Sequence, residues 1–202
     1  FCLAARFFSE PLSLPLPKGD ASVTLDWNEA AFGAEPSTTY SHTLSRAACY
    51  FSDVAYADVL AAPNDSALFT AYQTLGIPRS NIETHYDIDY TDAMWGNDQC
   101  AFSFASKESG AVANMLASLL LEDEFFAREN MYVYTFAAPN VTTLSIATDS
   151  RYDFIWNIVN AEDVVPTVPM YRGSWTFRKF GHTRALVNRT NTPSTLYTEG
   201  YL

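Results

Sequence analysis

Cysteine, glycine and basic residues are all scarce in this 202-residue chain, and each shortage removes a class of function. The 3 cysteines, Cys2, Cys49 and Cys100, lie far apart with no Cys-x-x-Cys, so neither a zinc site nor a disulfide framework is indicated. With 8 glycines the chain has no Gly-rich phosphate cradle. Lys and Arg number 12 against 23 Asp and Glu, a formal charge of −11 that repels a polyanion and excludes nucleic acid as a partner. No apolar run approaches the ~20 residues of a spanning helix, so at most peripheral membrane contact is expected. The first residues, Phe1-Cys2-Leu3-Ala4-Ala5-Arg6-Phe7-Phe8, read as the tail of a cleaved signal sequence or as a fragment edge, with secretion favoured over a cytoplasmic location.

What is abundant is material for a core. Apolar residues make up 48% and aromatics 15%, while charged residues stand at 17%. The length suits a single domain, residues 1–202, with an irregular, proline-containing lead-in over 1–39 and one edge strand at Ser22-Val23-Thr24-Leu25. Leu44, Ala48, Phe51, Ala55 and Val59 form a helical stripe that Pro63 ends. Asn64-Asp65-Ser66 caps a second helix carrying Leu68, Tyr72 and Leu75, which stops at Gly76-Ile77-Pro78. A polar loop rich in Asp and Tyr is expected over 83–98, then a strand over Ala101–Ala105. A helix follows from Ala111 to Phe126, with Val112, Met115, Leu116, Leu119, Leu120 and Phe126 facing inward. Tyr132–Phe136 and Phe154–Val159 are runs of apolar and β-favouring residues, the pattern of parallel strands covered on both faces. The order predicts an α/β fold with a mostly parallel sheet and flanking helices.

In such a sheet, ligands bind beyond the carboxyl ends of the strands. Two segments fall there: Ala137-Ala138-Pro139-Asn140, and Asn160-Ala161-Glu162-Asp163-Val164-Val165-Pro166. Asp163 is the candidate acid, because a carboxylate hemmed in by Val164, Val165 and Pro166 can accept a histidine ring N–H and fix its tautomer. The residues alone leave a second reading open, in which Asp163 caps a turn before Pro166.

Tyr134-Thr135-Phe136-Ala137-Ala138-Pro139-Asn140-Val141 resembles the strand-and-turn signature Y-T-F-G/A-x-P-x-V of class 3 lipases. Ile158 to Pro166 is similar to that family's N-x-x-D-x-V-P segment, and Gly110 to Ala117 resembles the helix after its nucleophile. The likeness spans about residues 40–185 and is strongest over 109–170. It implies an α/β-hydrolase-like fold and a serine hydrolase that acts on acyl esters, lipid or small, with Asp163 as triad acid and no cofactor or metal.

One departure counts against a working enzyme. The family's G-x-S-x-G motif on a strand-to-helix turn is absent; Phe104-Ala105-Ser106-Lys107-Glu108-Ser109-Gly110 stands there instead. Counting back from Asn114 puts Lys107 at the nucleophile position. Either an internal stretch is missing, with its join near Lys107, or Ser106 is a degenerate nucleophile lacking its flanking glycines. The base is equally open. Chain order in α/β-hydrolases runs Ser, Asp or Glu, then His, so His182 or a histidine further along is expected. His42 reads as a surface or capping residue at a helix start, and His85 as a loop residue paired with Glu83 or Asp87. The rival to the enzyme is a non-catalytic lipase-like module that binds lipid or protein.

Overall fold

The computed structural model of the chain describes residues 11–16, 21–26, 31–58, 67–74, 82–86, 90–95, 102–106, 109–124 and 126–186. The chain divides into two compact units and passes between them after Ala34, Tyr40 and Lys107.

The first unit holds residues 1–34 and 41–107. Strands β1 (Leu12–Pro15) and β2 (Ser22–Leu25) form an antiparallel hairpin inside the expected irregular lead-in. Its inward side chains, Leu14, Val23 and Leu25, are buried. Helix α1 (His42–Asp58) opens where the Ser41 hydroxyl accepts the N–H of Leu44, one of the donors a helix start leaves unpaired. Leu44, Ala47, Tyr50, Phe51 and Val54 recur at helical spacing and are buried. Tyr50 Oη donates to the Pro15 carbonyl at 3.1 Å, and an Arg46 guanidinium nitrogen donates to that of Thr24 at 2.8 Å, tying α1 to the hairpin. Burial and the charge of Asp53 push the Cys49 thiol up to about 12, so it is an unreactive buried thiol. Helix α2 (Ala67–Thr74) packs against α1, while the expected cap at Asn64–Ser66 and stop at Gly76–Pro78 lie outside the described residues.

The rest of this unit corrects the sequence reading. In place of a loop over 83–98 stand β3 (Ile82–Tyr86) and β4 (Tyr90–Trp95), with β5 (Phe102–Ser106) continuing the sheet. The order is β3-β4-β5 and both pairings are antiparallel, so the expected mostly parallel sheet does not extend here. The connections explain it, because the few residues between these strands allow a hairpin but not the long crossover a parallel pair needs. His85 accordingly lies in a strand, opposite Asp92.

The second unit holds residues 35–40 and 108–201 and carries the α/β architecture. Helix α3 (Ser109–Glu122) leads to β6 (Val133–Phe136), followed by β7 (Ile155–Asn160), a short antiparallel hairpin of β8 (Tyr171–Arg172) and β9 (Trp175–Thr176), and β10 (His182–Leu186). The sheet order is β10-β7-β6, and both pairings are parallel. β7 is central and nearly all buried, as its apolar run requires. Met131, Tyr152, Phe154, Ile155 and Phe180 form the main apolar cluster, joined by Ala117 from α3.

The inward face of α3 is only partly the one expected: Leu120 and Phe126 pack against the apolar cluster and Leu116 is half-buried, but Met115 and Leu119 are not inward. Met115 and Leu119 are exposed, at 46% and 51%, while Asn114, Ala117 and Ser118 are buried. The helix is apolar on most of its circumference, so periodicity cannot select a face. The choice is made by Asn114, which finds partners only against the sheet. Across the sheet, the strap Glu35–Tyr40 lies on the opposite side of β7, where Trp156 Nε1 donates to the Ser37 carbonyl and Tyr40 meets Trp156 and Tyr134 edge-on.

Candidate functional site

Two loops leave the carboxyl ends of β6 and β7, and a small set of bonds holds them together. Ala137, the first residue after β6, sits at φ 51, a left-handed conformation that costs an L residue roughly 1–2 kcal/mol. Its N–H still donates to the Ile158 carbonyl at 3.0 Å, so the turn begins in register with β7. Asn140 then donates from its backbone to Val168 and from its side chain to the carbonyls of Thr167 and Pro169. Lys179 completes the clamp. It is buried, and its Nζ donates to the Ala138 carbonyl on one loop and the Pro166 carbonyl on the other, both at 2.7 Å. Burial lowers its pKa to about 8, against the opposing pull of the Asp163 charge beside it.

Asp163 sits in the second of these loops, three residues past the end of β7. Its N–H donates to the Asn160 carbonyl at 3.0 Å, and its Oδ1 accepts the N–H of Val165 at 2.9 Å, closing an Asx turn. The turn-capping reading is therefore correct for one oxygen. The other, Oδ2, is buried and has no hydrogen-bond partner among the described residues. A buried carboxylate oxygen is costly to leave unpaired, so this one is poised to accept an N–H.

His182 is not the donor. As the first residue of β10 it pairs in register with Trp156, near the amino end of β7, whereas Asp163 lies beyond the carboxyl end at Asn160. At ~3.3 Å per residue that puts the length of the strand, more than ~10 Å, between them. His182 Nε2 lies instead 3.0 Å from Asp153 Oδ1, and its ring stacks on Trp156 at 5.0 Å. The sequence order that selected it carries no information about which end of a strand a residue occupies.

Ser106, the other candidate, is the last residue of β5 and lies opposite Tyr90 of β4 in the antiparallel sheet of the first unit. The strand of a nucleophile elbow belongs to a parallel sheet, and β5 does not provide that setting. Lys107 lies outside the described residues, and Ser109 opens α3.

The polar network under the sheet is a feature that sequence reasoning missed. Asn157 on β7 accepts hydrogen bonds from Asn114 Nδ2 at 2.8 Å and Thr135 Oγ1 at 2.7 Å, and donates to the carbonyls of Phe180 and His182. Asn114 in turn donates to the Phe180 carbonyl and accepts the Phe180 N–H at 2.9 Å. Both amides are fully buried with every donor used, so α3, β6, β7 and the entry to β10 are fixed in one register. The signal in the sequence is a lone amide at the centre of Ile155-Trp156-Asn157-Ile158-Val159. Gly181 follows this knot at φ 82, and a Cβ there would collide with the Ile155 backbone.

Residues 109–173 match the family model for Lipase (class 3). The matched stretch opens with α3 and takes in β6, β7, Asp163 and the start of the β8–β9 hairpin; Ser106 precedes it and His182 follows it. The resemblance of this segment to class 3 lipases is thus established, along with the lipase-like ester hydrolase character of the family it matches. No curated protein and no solved structure matches the chain.

Proposed function

We propose that the second unit is the acid-bearing part of a serine ester hydrolase of α/β-hydrolase type, acting on lipid or small acyl esters, with Asp163 as the acid of its triad. The observation that carries this reading is the buried Oδ2 of Asp163, which has no hydrogen-bond partner among the described residues and lies past the carboxyl end of a parallel strand inside the segment matched to class 3 lipases. In the reaction so read, Oδ2 accepts the ring N–H of a histidine, holds its tautomer and stabilises the imidazolium that forms as the serine hydroxyl loses its proton to the other ring nitrogen. The serine oxygen attacks the acyl carbonyl, and backbone N–H groups hold the resulting oxyanion. Lys179 and Asn140 keep the two loops around Asp163 in place. His182 is occupied at the other end of the sheet and takes no part.

The nucleophile is missing from this arrangement. Three features coincide at one point: the boundary between the units after Lys107, the start of the family match at residue 109, and the loss of G-x-S-x-G around Lys107. We read this as the join left by an absent internal stretch that held the nucleophile and the oxyanion donors. Removing the nucleophile from such a triad costs on the order of 10⁶-fold in turnover. The transcript across codons 100–112 tests the reading directly. An intervening segment encoding G-x-S-x-G between Glu108 and Gly110 supports an ester hydrolase. A transcript identical to the present chain favours the second reading, a non-catalytic lipase-like module, which the exposed apolar residues after Asp163 also suit.

A further inference from the structure

Every residue from Thr167 to Thr176 is exposed, and the β8–β9 hairpin inside this run is minimal. Tyr171 lies opposite Thr176 and Arg172 opposite Trp175, with Gly173-Ser174 as the turn. The N–H of Phe177 donates to the Met170 carbonyl at 3.1 Å and closes the base. Gly173 takes φ 63, and beyond its chain neighbours no atom lies within 4 Å of where its Cβ would stand. With so little pairing and no burial, little holds the tip against local opening. Exposed tips built from small and polar residues are where folded chains are cut.

The residue before this turn selects the kind of protease. Trypsin-like endoproteases seat a basic side chain in an acidic pocket, and Arg172 presents one, exposed, directly before Gly173. The other basic side chains among the described residues are placed against cleavage. Arg46 lies inside α1 and holds the Thr24 carbonyl, and Arg128 is half-buried and holds that of Ser150. Arg151 precedes the fully buried Tyr152. The backbone of Arg178 is bonded to Thr142 through both its N–H and its carbonyl, and Lys179 is buried. Arg184 is paired to β7 within β10 and lies over the Tyr40 ring at 4.1 Å.

The chain on each side of the tip is anchored without the hairpin. Upstream, Asn140 holds the carbonyls of Thr167, Val168 and Pro169. Downstream, Arg178 bonds to Thr142, Lys179 bridges Ala138 and Pro166, and Phe180 sits in the apolar cluster. β10 then pairs along β7.

We propose that the Arg172–Gly173 peptide bond is a processing site for a trypsin-like serine endoprotease, and that the cut chain stays assembled. Hydrolysis breaks the C–N bond and adds water, leaving a carboxylate on Arg172 and an ammonium on Gly173. The two arms of the hairpin are then free to part, while the Asp163 loop keeps its holds through Lys179 and Asn140. This goes beyond the reading of Asp163 as a triad acid and does not depend on it.

The test is a timed digest of the folded full chain with a low dose of trypsin, read by mass spectrometry of the new termini and by gel filtration of the product. A new N-terminus at Gly173 is expected at least about tenfold sooner than one at Glu129, Tyr152 or Ala185. The pieces ending at Arg172 and beginning at Gly173 should elute together, and separate in urea. Arg172→Gln, with its folding checked by urea titration, should lose this cut and leave the rates of the others unchanged. A Gly173 terminus that appears no sooner than the others overturns the proposal, as do pieces that part without denaturant.

Discussion

His182 Nε2 lies 3.0 Å from Asp153 Oδ1 at the amino end of the parallel sheet, while beyond the opposite end Asp163 Oδ2 has no hydrogen-bond partner among the described residues. A triad acid and its histidine must share the carboxyl end of the strands, because that is where the loops converge on a ligand. The His182–Asp153 pair therefore lies away from the end of the sheet where a ligand would bind. On the function proposed above, the carboxylate that serves chemistry is that of Asp163, whose Oδ2 has no hydrogen-bond partner among the described residues.

The amide knot should dominate the stability of this unit. Asn157→Ala strands the Asn114 amide, the Thr135 hydroxyl and the carbonyls of Phe180 and His182 in a buried site. We expect a loss of about 3 kcal/mol, read as a lower urea midpoint, and a smaller loss of about 2 kcal/mol for Asn114→Ala. A near-neutral Asn157→Ala would mean that water replaces the network.

Two backbone positions should respond in opposite directions. Gly181→Ala forces a side chain into the Ile155 backbone at positive φ and should cost more than about 2 kcal/mol. Ala137→Gly relieves a left-handed alanine and should gain about 0.5–1 kcal/mol, since the relief outweighs the extra freedom glycine has when unfolded. Thermal melts of the two variants, run side by side, check both signs.

Lys179 gives the fold a measurable pH dependence. Its folded pKa of about 8 lies below the ordinary 10.5, so the unfolded chain binds more protons between those values. The lysine's contribution to stability therefore grows as pH rises from 8 toward 10.5, and is lost as pH falls through 8. The tyrosines Tyr50 and Tyr152, both pushed up to about 12, act the other way above pH 10. Urea midpoints of wild type and Lys179→Met at pH 7 and pH 9.5 isolate the lysine. The wild-type midpoint should rise relative to that of the variant over this interval.

The sequence made some parts of this structure readable and hid others, for physical reasons. Helix α1 and the strands β6 and β7 follow from unambiguous spacing and from runs that only a covered sheet can bury. Parallel pairing of β6 and β7 follows from the same runs. The β3–β4 hairpin was hidden because Glu83, Thr84, His85 and Asp92 make its strands look like a solvated loop. The inward face of α3 was legible only in part, at Leu120 and Phe126, because apolar residues surround the helix and the buried Asn114 carries no apolar signal. At the candidate site, the position of Asp163 just past the buried strand β7 was legible in the sequence. Lys179 could not, since nothing in Phe177-Arg178-Lys179-Phe180 tells a clamp from a surface lysine. The place of His182 beside Trp156 was not legible, because order along the chain does not encode the end of the strand.

The most direct test of the account is reaction of the purified, folded chain with a fluorophosphonate probe, with mass-spectrometric mapping of any adduct. The account predicts no labelled serine, because the acid-bearing half of the site is present without its nucleophile. An adduct on Ser106 or Ser109 would contradict it, by showing a serine activated without flanking glycines and an active site assembled from the chain as it stands.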